Sequence, residues 1–316
     1  MKTDMPKDKL CEKLEKKLNN KLEKMGASFT VKARTQYKNN ETVIGLAMND
    51  GGGNAVPSVN LTDAELIKMQ AGDLKIKDIA KHLMKTFART GTMNLNIEDL
   101  TTKENILESV IPQVFDSSNK EHFDQEGIVN TEYLNLVVTY AVPVQGMPGG
   151  GAGSFKIQEN LLRSAGIDKE ELHKAALKNM EEKITTMKLS DMTRHLMPMM
   201  EAPNEDVPLY VTTSSDNMYG AAAILTDKFQ QKLQQMQDVT QKPIVVLPSS
   251  IHEVITTPLE PGLSNEMLQM VIDINTTEVQ PQERLSDCIY IFDNGKMKVM
   301  DDVECLQEQD EDMEME

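Results

Sequence analysis

Apolar positions along the chain change period several times, and each change marks an element. In "KDKLCEKLEKKLNNKLEKMG", Leu10, Leu14, Leu18 and Leu22 recur every fourth position. That spacing lays one narrow stripe along a helix, with Lys and Glu on the other faces and Gly26 as its stop. The stripe favours packing on its own domain; a partner-binding or membrane-surface helix, or coiled-coil assembly through residues 7–25, are the competing readings. From Phe29 the period falls to two. Phe29, Val31, Ala33, Thr35 and Tyr37 alternate, "KNNET" turns, and "VIGLAM" supplies a second strand, which together predict a hairpin. The run "NDGGGN" has no G-K-[ST] after it, so it reads as a flexible turn rather than a phosphate loop. Thr62 and Glu65 form a capping box for a short helix ending near Gly72. A longer helix follows, with Ile76, Ile79, Ala80, Leu83 and Phe87 on one face and His82 at its border.

Further on, "KENILESVIPQVF" reads as helical or strand-helix, interrupted near Pro112. "YLNLVVTYAVPV" is a nearly continuous apolar run, expected as one strand buried on both faces. Helices are predicted in "IQENLLRSAGI" and in "DKEELHKAALKNMEEK", the latter capped by Asp168 with Glu171 three residues on. "PLYVTTSS", "KPIVVLPSS" and "IHEVITTP" read as extended, "DKFQQKLQQMQ" and "LSNEMLQMVIDIN" as helices. "CIYIFDNGKMKVM" is a hairpin about Asn294–Gly295. Strands and helices mix without a βαβ rhythm, so the expected fold class is α+β, with mixed or antiparallel sheets and packed helices. The organisation read from the pattern is a charged amphipathic helix (1–26), an α+β region (27–145) and a second α+β domain (155–300). An acidic, disordered tail (301–316) ends the chain. The Gly-rich stretch "QGMPGGGAGSF" is the boundary.

Charge narrows the choice of partners. The chain carries a formal −17, spread as +3 over residues 1–26, −9 over residues 301–316 and −11 between them. Phosphate backbones are bound through excess Lys and Arg, so nucleic acid is not expected. No apolar run is long enough to span a bilayer, and the N-terminus has no apolar signal core. Cys11, Cys288 and Cys305 are sparse, odd in number and without CxxC spacing, which fits a reducing cytoplasm. Aromatics are only 4% while methionines number 22, so the core is expected to be aliphatic and adaptable.

Three stretches carry a resemblance: "LYVTTSSDNMYGAAAIL", "VVLPSSIHEVITTP" and "MLQMVIDINTTEVQPQERLSDCIYIFDN". They resemble an uncharacterised family of clostridial gut bacteria, catalogued as a domain of unknown function. Its members read LYVLTN, then YGA, then LPSSIHEVI, then LSD.VY. "IVNTEYLNLVVTYAVPV" and "SFKIQENLLRSAGIDKEELHKAALKN" agree more loosely, so the resemblance covers most of residues 30–295. Where that family often has Leu-Thr-Asn, this chain has Thr212, Thr213 and Ser214. The family has no assigned activity, so the resemblance implies a domain shape and no mechanism.

The chemistry that remains is concentrated in "PSSIHE". Three readings of Ser249, Ser250, His252 and Glu253 compete. A hydrolase or transferase would use Ser250 and His252, which share a strand face, although no G-x-S-x-G elbow exposes the serine. Tyr219 or Asp216 of "DNMYG" would stand nearby. A metal site would need a distant ligand such as His195 or Asp216, because Thr256 stands where H-E-x-x-H requires its second His. The structural reading has Pro248 end a strand, the serine hydroxyls hold the bend through local backbone bonds, and His252 satisfy a buried polar partner. Ser250 and His252 are therefore the catalytic candidates, and Ser249, Glu253, Tyr219 and Asp216 the binding candidates. Nothing in the spacing calls for a cofactor or a metal. The expected function is that of a non-catalytic, cytoplasmic binding or regulatory protein with a protein partner, in an oligomeric state left open.

Overall fold

A computed structural model describes residues 7–144, 153–191, 208–248, 250–260 and 264–300. Ser249, His195, most of the Gly-rich stretch and the acidic tail lie outside the described residues. The fold is α+β with antiparallel sheets. The chain forms two compact units, residues 1–102 with 143–155 and residues 103–142 with 156–316.

The first unit is built on a three-stranded sheet in the order β1 (Thr30–Lys38), β2 (Glu41–Asn49), β3 (Ser58–Leu61). The β1–β2 hairpin closes through Asn39 and Asn40, with Asn40 in the left-handed conformation at φ 61°. Helix α1 (Lys7–Lys24) lays its leucine stripe on the sheet. Leu14 and Leu18 are fully buried, and Leu10 and Leu22 nearly so, among Val31, Ala33, Ile44, Leu46 and Met48. At about 1.5–3 kcal/mol for each buried leucine, this stripe contributes roughly 6–12 kcal/mol before chain entropy is charged against it. The capping box of Thr62 and Glu65 starts α2 (Asp63–Ala71), which ends on left-handed Gly72. α3 (Ile76–Thr90) buries Ile79, Ala80 and Leu83, and Phe87 stacks on Phe29 at 4.3 Å. The expected flexible turn "NDGGGN" is instead clasped. Asp50 Oδ1 accepts from Gly52 N–H and from the Thr92 hydroxyl, both at 2.8 Å, while Asn54 pairs in both directions with the backbone of Leu95. A Cβ on Gly53 would stand 2.3 Å from Met93 O, so this glycine permits close approach of two backbones.

β4 (Ile111–Asp116), β6 (Leu136–Val144) and β5 (Asn130–Tyr133), which lie in the second unit but for the last two residues of β6, pair in that order; β7 (Gly153–Lys156), where the chain re-enters this unit, also pairs with β6. Pro112 sits in β4, an edge strand, where its missing N–H costs no ladder bond. The run read as one strand is two, because "YLNL" turns at Leu134, whose φ is 54°. A second sheet has six strands. Its order is β13 (Lys296–Met300), β12 (Ile289–Asp293), β10 (Ile244–Leu247), β11 (Glu253–Pro258), β9 (Tyr210–Ser214), β8 (Ile184–Lys188). Asn294 and Gly295, both at positive φ, turn the β12–β13 hairpin.

Asn135, in the β5–β6 turn, ties the two sheets of this unit together. Tyr290 of β12 donates to Asn135 Oδ1 at 2.7 Å, and Asn135 Nδ2 donates to Ser286 Oγ at 3.2 Å. A second, half-buried link joins α4 (Lys169–Lys183) to β6: Tyr140 Oη lies 2.8 Å from His173 Nδ1 and 3.1 Å from Thr131 Oγ1. Burial pushes the Tyr140 phenol up, keeping it a donor, and holds His173 below its ordinary 6.5. The folded ring therefore binds its proton less tightly than the unfolded chain does. The stability this contributes is complete above pH 6.5 and is lost as pH falls towards the lowered folded value. The melting temperature is expected to drop between about pH 7.5 and pH 5.5, and to drop less in His173→Gln. Equal pH slopes for the two proteins in calorimetry would remove His173 from this account.

Candidate functional site

The corner between β10 and β11 starts where Pro248 ends the ladder of β10. Pro248, Ile251 and Val254 are buried, so the segment is anchored from both sides. It is also paired with the chain that leads into β12. Ile251 N–H donates to Glu283 O at 2.8 Å, Ser250 bridges Arg284, and Ser286 N–H donates to Pro248 O at 3.2 Å. Arg284 Nε in turn donates to Val279 O at 3.0 Å, which steadies that segment.

Ser250 is buried, and its hydroxyl oxygen accepts from the His252 backbone N–H at 3.0 Å. This is a local serine turn over two residues. The His252 carbonyl accepts from the Thr213 hydroxyl at 2.8 Å, and His252 Nδ1 accepts from Tyr219 N–H at 3.2 Å. Tyr219 sits in the left-handed region at φ 56°, at the end of a turn that also holds Asn217 at φ 55°. Its ring lies 5.7 Å from the imidazole, tilted by 45°, and burial raises its phenol.

The turn is held from inside by Ser214. Its hydroxyl donates to Asp216 Oδ1 at 2.6 Å and accepts from Met218 N–H at 2.9 Å. Burial works against the Asp216 charge, but the Ser214 hydroxyl, the Lys183 ammonium at 3.5 Å and Met218 N–H outweigh it. They hold its carboxyl below the usual range. After Tyr219 the chain enters a fully buried 3-10 segment, Gly220–Leu225. Gly220 is wedged between the two loops. A Cβ there would stand 2.5 Å from each of His252 O, Ser214 N and Thr213 Cα, all of them backbone.

Of the candidates, Ser250, His252 and Tyr219 are brought together, and the bonds between them run through main-chain amides. Asp216 stands one link away, through Ser214. Glu253 lies in the ladder opposite Thr213, and Ser249 is outside the described residues. Because Nδ1 accepts, the neutral ring carries its proton on Nε2, which faces Glu283 Oε1 at 3.9 Å. As arranged, the imidazole presents a donor, and no free base, to anything beyond the corner. Thr213, Ser214, Gly220 and Glu283 complete the cluster; in the sequence Thr213 and Ser214 stood out only as departures from the Leu-Thr-Asn pattern, and Gly220 and Glu283 not at all. Among the described residues no three His, Cys, Asp or Glu side chains come together as a metal-binding group. Nor is any helix there long and apolar enough to cross a membrane.

Fold and corner together define an α+β protein with antiparallel sheets, in which the serine-histidine corner is knitted into the backbone. Its place among known proteins agrees with that plain description: the chain belongs to the family of unknown function DUF5688, which matches residues 7–294. No curated protein and no solved structure matches it.

Three substitutions at two positions test the corner. His252→Ala removes the acceptor for Tyr219 N–H at a cost of about 1–3 kcal/mol, and at roughly 2–4 °C per kcal/mol the melting temperature falls by several degrees. His252→Asn, whose Oδ1 can stand in for Nδ1, is expected to recover part of the loss. An unchanged melting temperature in His252→Ala would show that the bond contributes nothing. Gly220→Ala is expected to be worse than either, because three backbone groups would have to move apart; wild-type solubility and melting would contradict that packing.

Proposed function

We propose that this chain is a non-catalytic binding or regulatory protein of the bacterial cytoplasm, with the gut-clostridial origin its sequence resemblance implies. One observation carries the reading. The polar atoms that would have to do chemistry, Ser250 Oγ and His252 Nδ1, are each engaged with a main-chain amide. A catalytic serine needs a base within reach of its hydroxyl, and the nearest ring is turned to another task. The charge of −17 and the sparse cysteines support a soluble cytoplasmic role without nucleic acid. The competing reading, a hydrolase or transferase using Ser250 and His252, requires the imidazole to release Tyr219 and rotate.

The two readings separate in one set of assays. The wild type, Ser250→Ala and His252→Asn are screened against ester, phosphoester and acyl-transfer substrates, while the wild type is cross-linked in its native host to recover a partner. The expected outcome is a reproducible protein partner, with turnover no higher in the wild type than in the variants. Turnover that disappears in Ser250→Ala, at an unchanged melting temperature, would establish the enzyme instead.

A further inference from the structure

β1 is the terminal strand of its sheet, so peptide groups of alternate residues point away from β2 and need other partners. Helix α1 supplies them. Asn19 Nδ2 donates to Val31 O at 2.9 Å, and Asn19 Oδ1 accepts from Val31 N–H at 2.8 Å. One side-chain amide thus pairs with one residue in both directions, as a neighbouring strand would. Four residues earlier on the helix, Glu15 Oε2 accepts from Ala33 N–H at 3.0 Å. The match is one of pitch. Four helical residues advance about 6.0 Å, and two strand residues roughly 6.6 Å. Side chains one turn apart therefore reach peptide groups two residues apart. A groove of about 400 Å³ follows this seam, lined among others by Glu12, Lys16, Lys32 and Arg34, so the edge is open to solvent beside its caps.

Side-chain parity adds a second barrier. Lys32, Arg34 and Lys38 are exposed, while Val31 and Ala33 are buried. Any antiparallel pairing of two such edges that keeps the apolar sides together puts all the cations of both copies on one face. Like charges opposed on a sheet are destabilising.

We propose that α1 is an edge guard: Asn19 and Glu15 occupy the peptide groups that the β1 edge of a second copy would use, and Arg34 and Lys38, with Lys32 paired to Glu15 at 3.4 Å, repel that copy. Without the two caps, the full chain is expected to associate with itself through β1, more strongly once salt screens the cations. The test compares the wild type with the double variant Glu15→Ala, Asn19→Ala by sedimentation velocity over a range of concentrations, at about 0.05 M and about 0.5 M NaCl. The wild type should keep one mass, and the double variant should grow with concentration, most at high salt. At dilutions below association, amide exchange at Val31 and Ala33 should quicken by roughly tenfold or more. Glu15→Gln retains an acceptor and should behave as the wild type. If the double variant fails to fold, Glu15→Ala alone carries the same two readouts. A folded variant with the wild-type mass at both salts, or with Ala33 still protected, would overturn the proposal.

Discussion

Buried peptide groups must be satisfied, and in this protein the constraint is hardest to meet where strands stop. Within a ladder each N–H and C=O finds its partner by repetition. At the β10–β11 corner and at the end of β9 there is no ladder, yet the chain is packed so closely that water is excluded around Gly220. Side chains take over: the Ser250 hydroxyl, the His252 ring, and the Thr213 and Ser214 hydroxyls each hold a main-chain group. A buried amide left without a partner costs about 1–3 kcal/mol, a large part of what a unit of this kind has to spare. The polar residues are therefore where they are because the backbone there is both irregular and enclosed.

Local signals were legible and distant ones were not. The α1 stripe, the Thr62–Glu65 box and the Asn294–Gly295 hairpin depend on residues within one turn or one loop of each other, so period and turn chemistry were enough. The turn at Leu134 and Asn135 has no glycine, and the groups that stabilise it come from Ser286 and Tyr290. No local pattern could announce it. Gly53 looked like slack and proved to be contact. In the candidate site, the bond from His252 N–H to Ser250 spans two residues and follows from serine chemistry. The bond from Tyr219 N–H to His252 Nδ1 spans thirty-three and is set by the tertiary fold alone.

The first unit meets the same requirement differently. Its unsatisfied groups lie along a strand edge rather than at a corner, and a helix with the right pitch reaches two of them in succession. That the same helix buries four leucines explains why so short an amphipathic segment can be held firmly enough to aim Asn19 and Glu15.

The clasp on Asn135 also sets an order of events. The side chain that seats this turn, Tyr290, lies 155 residues downstream. On a ribosome adding roughly 5–20 residues per second, the turn of this hairpin waits about 8 to 30 seconds for it. Until then β6, a long and largely buried strand, has neither its locked turn nor the far sheet against which that turn is fixed. The ladder of β6 with β4 and β5 can thus form early, while the bond that fixes its turn comes only with β12.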